Sequence, residues 1–175
     1  MKNIEIRNTY GGGVHKWLSI GGSYPGALSA WFRSEYPTTV DAAWSSSGVI
    51  LAVRDYSDYD LDVYRATSRS QSGCEVQTKA FIDYFDMALN GTLPADQAAY
   101  VKNLFAIPAD LDNGDFMYYL ADIFAGKIQG GKRRNMCNIL SSISTSDVAT
   151  QLPVLKQIAD QAGMTSYEGY DRKLL

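Results

Sequence analysis

The stretch Lys16-Trp17-Leu18-Ser19-Ile20-Gly21-Gly22-Ser23-Tyr24-Pro25-Gly26 constrains this chain more than any other. Lys16 to Ile20 alternates, with Trp17 and Ser19 on one face and Leu18 and Ile20 on the other, so it predicts a strand. Gly21 to Gly26 is glycine-and-proline punctuation and predicts a tight turn. From Ala27 to Tyr36 the apolar positions Ala27, Leu28, Trp31 and Phe32 follow helical spacing. Pro37 ends that helix, because the residue before a proline is pushed out of the α region. Val40 to Val53 is rich in Ala and β-branched residues and carries Ser45-Ser46-Ser47-Gly48. It reads as a second, buried strand and the loop leaving it. Strand, sharp turn, helix and strand make a βαβ unit of a parallel sheet.

A serine on such a corner is the pattern of a nucleophile elbow. Small neighbours let strand and helix approach closely. The following helix aims its free N–H groups and its dipole at the serine, which favours a developing oxyanion. Ser23 is therefore the candidate nucleophile, and the backbone N–H of Tyr24 a candidate oxyanion donor. In the usual G-x-S-x-G pattern the second glycine falls two residues after Ser; here that position is Pro25, and glycine comes at Gly26. Proline is tolerated there because a first-turn N–H has no helical partner to lose. The competing reading is a Gly-Ser-Pro turn without chemistry.

The chain changes character after about Val53, which divides it into 1–53 and 54–175. The second part carries helical segments with clear stops. Cys74 to Leu89 is periodic and is followed by Asn90-Gly91 as a C-cap. Thr92 is expected to cap a helix with Pro94 in its first turn, running to about Phe105. Asn113 or Asp115 opens another to Phe124, closed by Gly126. Arg134 to Ile143 is a fourth. Ser146 caps a fifth that ends near Gly163, with Pro153 kinking it or marking its true start.

Composition excludes several functions. Sixteen Lys and Arg against nineteen Asp and Glu give a net charge of −3, without the basic excess of a nucleic-acid binder. Lys132-Arg133-Arg134 reads as a solvated loop. No apolar run approaches the roughly 20 residues of a membrane span, and the first residues lack an apolar signal-peptide core. Two cysteines cannot alone make a zinc site and one histidine rules out a two-His site, and no metal or cofactor is expected. His15, the one imidazole, precedes the strand whose far end carries Ser23, out of hydrogen-bond reach, and reads as a surface-loop residue. Asp55, Asp58, Asp60 and Asp62 lack the Gly and terminal Glu of a calcium loop and read as a solvated acidic lead-in to the helical part.

The run from Trp17 to Arg33 resembles the elbow of the serine carboxypeptidase family that includes lysosomal prolyl carboxypeptidase, dipeptidyl peptidase II and thymus-specific serine protease. Tyr36-Pro37 and Val40-Asp41-Ala42-Ala43-Trp44-Ser45-Ser46-Ser47 look like that family's next helix end and strand. Ser72-Gly73-Cys74, Tyr119 to Ala125, Gln129-Gly130-Gly131 and Met136-Cys137 are similar to parts of its inserted helical cap. The resemblance covers about Lys16 to Leu140. It implies an α/β fold, namely a partial α/β-hydrolase core (1–53) followed by a mainly helical cap (54–175). It also implies a serine exopeptidase that acts on a peptide substrate, either Pro-directed carboxypeptidase or dipeptidyl peptidase, with Ser23 as nucleophile.

The family's triad Asp and His follow the cap, and no position here matches either. The chain therefore looks like the middle of a larger enzyme and is expected to be inactive alone. A non-catalytic remnant or binding module, and an esterase of the same fold, are the competing readings. Family members are secretory or lysosomal, where disulfides persist. That implies a Cys74–Cys137 bond, against two free thiols or pairing elsewhere. It also gives meaning to the glycosylation triplet Asn90-Gly91-Thr92. Nothing in the sequence sets the oligomeric state.

Overall fold

The structure, a computed structural model, describes residues 15–70, 73–164 and 166–174. The chain divides into two units, Met1–Tyr56 and Ser57–Leu175. Ser72 and the first fourteen residues of the chain fall outside the described residues.

In the first unit, β1 (Leu18–Gly22) runs into α1 (Tyr24–Glu35), which returns to β2 (Ala42–Ser46). The two strands pair in parallel, with Leu18 opposite Ala42 and Ile20 opposite Trp44. Helix α1 covers the face that carries Ser19, whose hydroxyl accepts a hydrogen bond from Ser29 at 2.9 Å. Ala27 and Ser29 are buried on that side. The opposite face is open. Leu18, Ile20 and Trp44 are 52%, 68% and 63% exposed. This corrects the expectation of a buried second strand. β-Branched and alanine-rich composition marks a strand that fits a covered face, but it does not supply the cover.

The second unit is helical. It comprises α2 (Asp58–Ser68), α3 (Cys74–Leu89), α4 (Ala95–Leu104), α5 (Asn113–Gln129), α6 (Arg133–Leu140), α7 (Val148–Gln161) and a short 3-10 turn at Glu168–Tyr170. Helix α3 is central and touches each of the five other helices of this unit, α2, α4, α5, α6 and α7. It buries Cys74, Phe81, Tyr84, Phe85 and Ala88, at i, i+3 and i+4 spacings that keep them on one face. Helix α5 presents Phe116, Tyr119, Leu120, Ile123 and Phe124 in the same way. Helix α7 adds Leu152, Leu155 and Ile158. The aromatic rings form a chain through this core. Phe85 and Phe105 lie 6.3 Å apart between ring centres, Phe105 and Tyr119 6.1 Å, and Tyr119 and Tyr170 5.2 Å, each edge to face.

Several boundaries differ from expectation. The acidic segment folds as helix α2, with Asp58 and Asp60 in its first turn, where carboxylates favour the helix dipole. Thr92 does not cap α4. It donates to Asn90, and the helix starts after Pro94 at the N-cap position. Gly126 does not stop α5. The helix continues to Gln129 because Ile123, Phe124, Ala125 and Lys127 are all buried around that glycine. Gly131, at φ +71°, follows the true end. Lys132 caps α6, so the basic run is a helix start rather than a loop. The N-cap of α7 is Asp147 rather than Ser146, and Pro153 lies inside the helix rather than at its start. Pro153 lacks an N–H, so it removes one ladder bond early in α7, where Leu152, Leu155 and Ile158 hold the helix against the core.

Candidate active site

Ser23 stands between the last residue of β1 and the first of α1, with φ 58° and ψ −129°. A non-glycine residue at positive φ stores strain of order 1–3 kcal/mol and persists only where its surroundings over-determine it. Here they do. The Ser23 N–H donates to the Ser46 carbonyl at 3.0 Å, and the Ser23 carbonyl accepts from the Ala27 N–H at 3.2 Å. One bond ties the corner to β2 and the other starts the helix.

The glycines allow the crossing. A Cβ on Gly21 would drive into the Pro25 carbonyl group. One on Gly26 would lie 3.0 Å from both the Gly21 and Ser46 carbonyl oxygens. One on Gly48 would meet the Ser45 hydroxyl and lie 3.0 Å from the Ala27 nitrogen. Gly22 is different, since its added Cβ would find only the Ser46 oxygen, at 3.9 Å. The Ser45-to-Gly48 run thus braces the corner from β2, with Ser47 also at positive φ, 49°. That role was hidden in the sequence, where the same run reads only as the end of a strand.

Ser23 is exposed. Tyr24 opens α1, so its N–H is one of the first-turn donors without an intrahelical acceptor. Pro25, next in line, has no N–H to offer. The donors and the positive end of the helix dipole therefore lie beside the serine. At the other end of β1, the Asp41 carboxylate accepts from the Trp17 N–H at 2.7 Å and from Lys16 Nζ at 3.1 Å. Arg33 Nε donates to the Asp41 carbonyl at 3.0 Å. These contacts fix the strand that carries the corner.

His15 precedes β1 and Ser23 follows it, so the five residues of the strand, at about 3.3 Å each, separate them. His15 is half-buried rather than an open surface residue. The structure does not bring it to Ser23. Asp55, Asp58, Asp60 and Asp62 do not converge with other ligands. Among the described residues no group of three or more His, Cys, Asp or Glu side chains could hold a metal ion. Asp62 instead pairs with Arg65 at 3.2 Å along α2.

In the helical unit Cys74 and Cys137 are disulfide-bonded, with Cα atoms 5.2 Å apart. The bond joins the first residue of α3 to the interior of α6, and both cysteines are fully buried. Asn90, the C-cap of α3, is exposed with Thr92 beside it. No described helix is long and apolar enough to cross a membrane.

The chain is similar in sequence to several proteins named as serine proteases. The chain is 29% identical over 136 residues to the probable serine protease EDA2 of Arabidopsis thaliana, covering 77% of this chain and 26% of that protein. It is 35% identical over 66 residues to the human thymus-specific serine protease, covering 38% of this chain and 13% of that one. It is 32% identical over 109 residues to a probable extracellular serine carboxypeptidase of Arthroderma benhamiae, covering 62% and 15%. Residues 3–174 match the family model described as Serine carboxypeptidase S28, and the chain belongs to that family. The chain spans about a quarter or less of the length of these relatives. No solved structure matches it.

Proposed function

We propose that this chain is the elbow-and-cap segment of a secreted or lysosomal serine exopeptidase of α/β-hydrolase type, with Ser23 as its nucleophile. The observation that carries the reading is the backbone of Ser23, held at φ 58° on a strand-to-helix corner that the glycines at 21, 26 and 48 allow to close. The substrate is a peptide, cleaved near a terminus on the carboxyl side of proline, as a carboxypeptidase or a dipeptidyl peptidase. The relative named an extracellular serine carboxypeptidase supports both the chemistry and the compartment.

In the proposed reaction Ser23 Oγ attacks the scissile carbonyl carbon while a general base takes the hydroxyl proton. The Tyr24 N–H donates to the oxyanion that forms. The C–N bond breaks, the amine leaves with the proton, and water then cleaves the acyl-serine ester. A serine hydroxyl is a weak nucleophile without its base. The sequence holds one imidazole, and it lies at the wrong end of β1. The triad Asp and His belong, on this reading, to other parts of a longer protein, and the chain by itself is inactive.

The test is fluorophosphonate labelling and turnover of a Pro-containing chromogenic peptide by the full-length protein. Ser23→Ala is expected to abolish labelling and to lower kcat by roughly 10⁵- to 10⁶-fold, as for loss of other hydrolase nucleophiles. Full labelling of the Ser23→Ala protein would place the nucleophile elsewhere. A second substrate, a simple carboxylic ester without an amide, separates the esterase reading, which requires ester turnover without peptide turnover.

A further inference from the structure

We propose that Asn90 carries an N-linked glycan, and that the corner between α3 and α4 is consequently a solvent-facing surface of the complete protein. The inference rests on the secretory location proposed above. Asn90-Gly91-Thr92 is the only Asn-x-Ser/Thr triplet in the sequence. Such triplets are common in proteins that never meet a glycosyltransferase, so position and shape decide the matter. Asn90 is the C-cap of α3, and both Asn90 and Thr92 are exposed. Gly91 stands at φ +86° with open space where a side chain would be.

The side chains are already arranged for the chemistry. Asn90 Oδ1 accepts from the Thr92 N–H at 2.9 Å and from Thr92 Oγ1 at 2.6 Å. Both bonds polarise the carboxamide through Oδ1 and do not engage Nδ2. Its one contact is Asp86 Oδ2 at 3.4 Å, the outer limit of a hydrogen bond. Because the turn involves residues two apart, it needs no tertiary structure and is available to a nascent chain. In the transfer, the bond between the sugar's anomeric carbon and the phosphate of a lipid diphosphate breaks. A C–N bond to Nδ2 forms, an amide proton passes to the transferase base, and the lipid diphosphate leaves.

A second observation points to the same compartment. The other end of α3, about 24 Å away along a 16-residue helix, is closed by the Cys74–Cys137 disulfide. Disulfides persist in the secretory pathway and are rare in the cytosol, so the helix carries a mark of that route at Cys74 and an acceptor for it at Asn90. A glycan at Asn90 also excludes protein. Whatever else the longer chain folds against the helical unit leaves this corner free.

The full-length protein, expressed in a eukaryotic secretory host, is digested with a peptide N-glycosidase in ¹⁸O water and its peptides are weighed. Asn90 is expected as ¹⁸O-labelled Asp in the digest with the glycosidase and not in a parallel ¹⁸O-water incubation without it, which reports spontaneous Asn-Gly deamidation. Thr92→Ala is expected to lose the label and the accompanying gel shift completely, and Thr92→Ser to keep both. Bare Asn90 in a secreted protein whose Cys74–Cys137 bond is intact would overturn the glycan alone. Bare Asn90 with both cysteines reduced would overturn the secretory reading with it.

Discussion

The two units hold their shapes by different means. In the helical unit, six helices bury a continuous apolar cluster, with Phe81, Phe85, Phe116, Leu120, Ile123 and Leu155 at 1% exposure or less. In the elbow unit the buried apolar side chains among the described residues are only Ala27 and Val40. Its order comes from backbone hydrogen bonds and from glycines that let three chain segments cross in contact. One unit stores its stability in side-chain packing, the other its geometry in the main chain. A packed helical layer tolerates a good deal of surface change, whereas a strained serine keeps its conformation only while every brace around it is in place.

Removing the disulfide is the largest expected perturbation of the helical unit. The bond spans 63 residues, and in the chain-entropy model a loop of that size stabilises by about 4 kcal/mol. The Cys74→Ser, Cys137→Ser double variant should therefore lower the unfolding free energy of the helical unit by about that amount, measured by chemical denaturation. Both sites are fully buried, so hydroxyls left without partners there add to the loss. An unchanged denaturation midpoint would show that the packed core needs no covalent staple, and would sharpen the contrast between the units.

The elbow should break through its glycines. Gly21→Ala puts a methyl group into the Pro25 carbonyl, so the strand and helix must separate. Overpacking of this kind costs about 1–3 kcal/mol, and the larger effect is on the corner itself. Fluorophosphonate labelling at Ser23 in the full-length protein should fall by an order of magnitude or more, about one factor of ten for each 1.4 kcal/mol by which the reactive geometry is disfavoured. Gly22→Ala, one residue away, meets only the Ser46 oxygen at ordinary van der Waals distance and should change labelling less than twofold. If both variants behave alike, the close approach at Gly21 is not what sets the serine.

Much of this comparison is legible in the sequence. The Gly-Gly-Ser-Tyr-Pro-Gly run fixes a corner because few other residues fit so tight a crossing, and the observed β1 and α1 meet at Ser23 as the punctuation requires. The period of Cys74 to Leu89 likewise gives α3 with its observed ends. What stayed hidden depends on neighbours. Nothing local in Val40 to Val53 tells whether a second layer covers the strand, and Trp44 is 63% exposed. Asp58, Asp60 and Asp62 read as a solvated run because charge masks a helix whose first turn welcomes carboxylates. Gly126 reads as a stop because local propensity disfavours glycine in a helix by about 1 kcal/mol, less than the burial around it returns. The bracing of Ser23 by Ser46 and Gly48 is a contact between distant segments and has no local signal at all.

The smallest expected effect concerns how the end of the helical unit is fastened, and it tests whether surface charge contributes there. Asp112 caps α5, with its carboxylate accepting from the Gly114 N–H at 2.8 Å and the Asp115 N–H at 3.3 Å. Arg172 reaches back to it at 2.6 Å and to Asp115 at 2.8 Å. The two backbone donors first, and then the guanidinium, hold the Asp112 carboxyl below the usual carboxylate range. A carboxylate with a depressed folded-state pKa stabilises above its unfolded pKa, near 4, and loses that contribution as the pH falls through the lower folded value. The thermal midpoint of the helical unit should therefore decline as the pH drops below about 4. Asp112→Asn keeps a side-chain oxygen at the N-cap but does not titrate, so it should lower the midpoint slightly at neutral pH and flatten the acid decline. The carboxylate and Arg172 are solvent-accessible, so added salt should shrink the difference between the two proteins. An acid decline equally steep in Asp112→Asn would move the sensitivity to other carboxylates and leave this fastening without energetic weight.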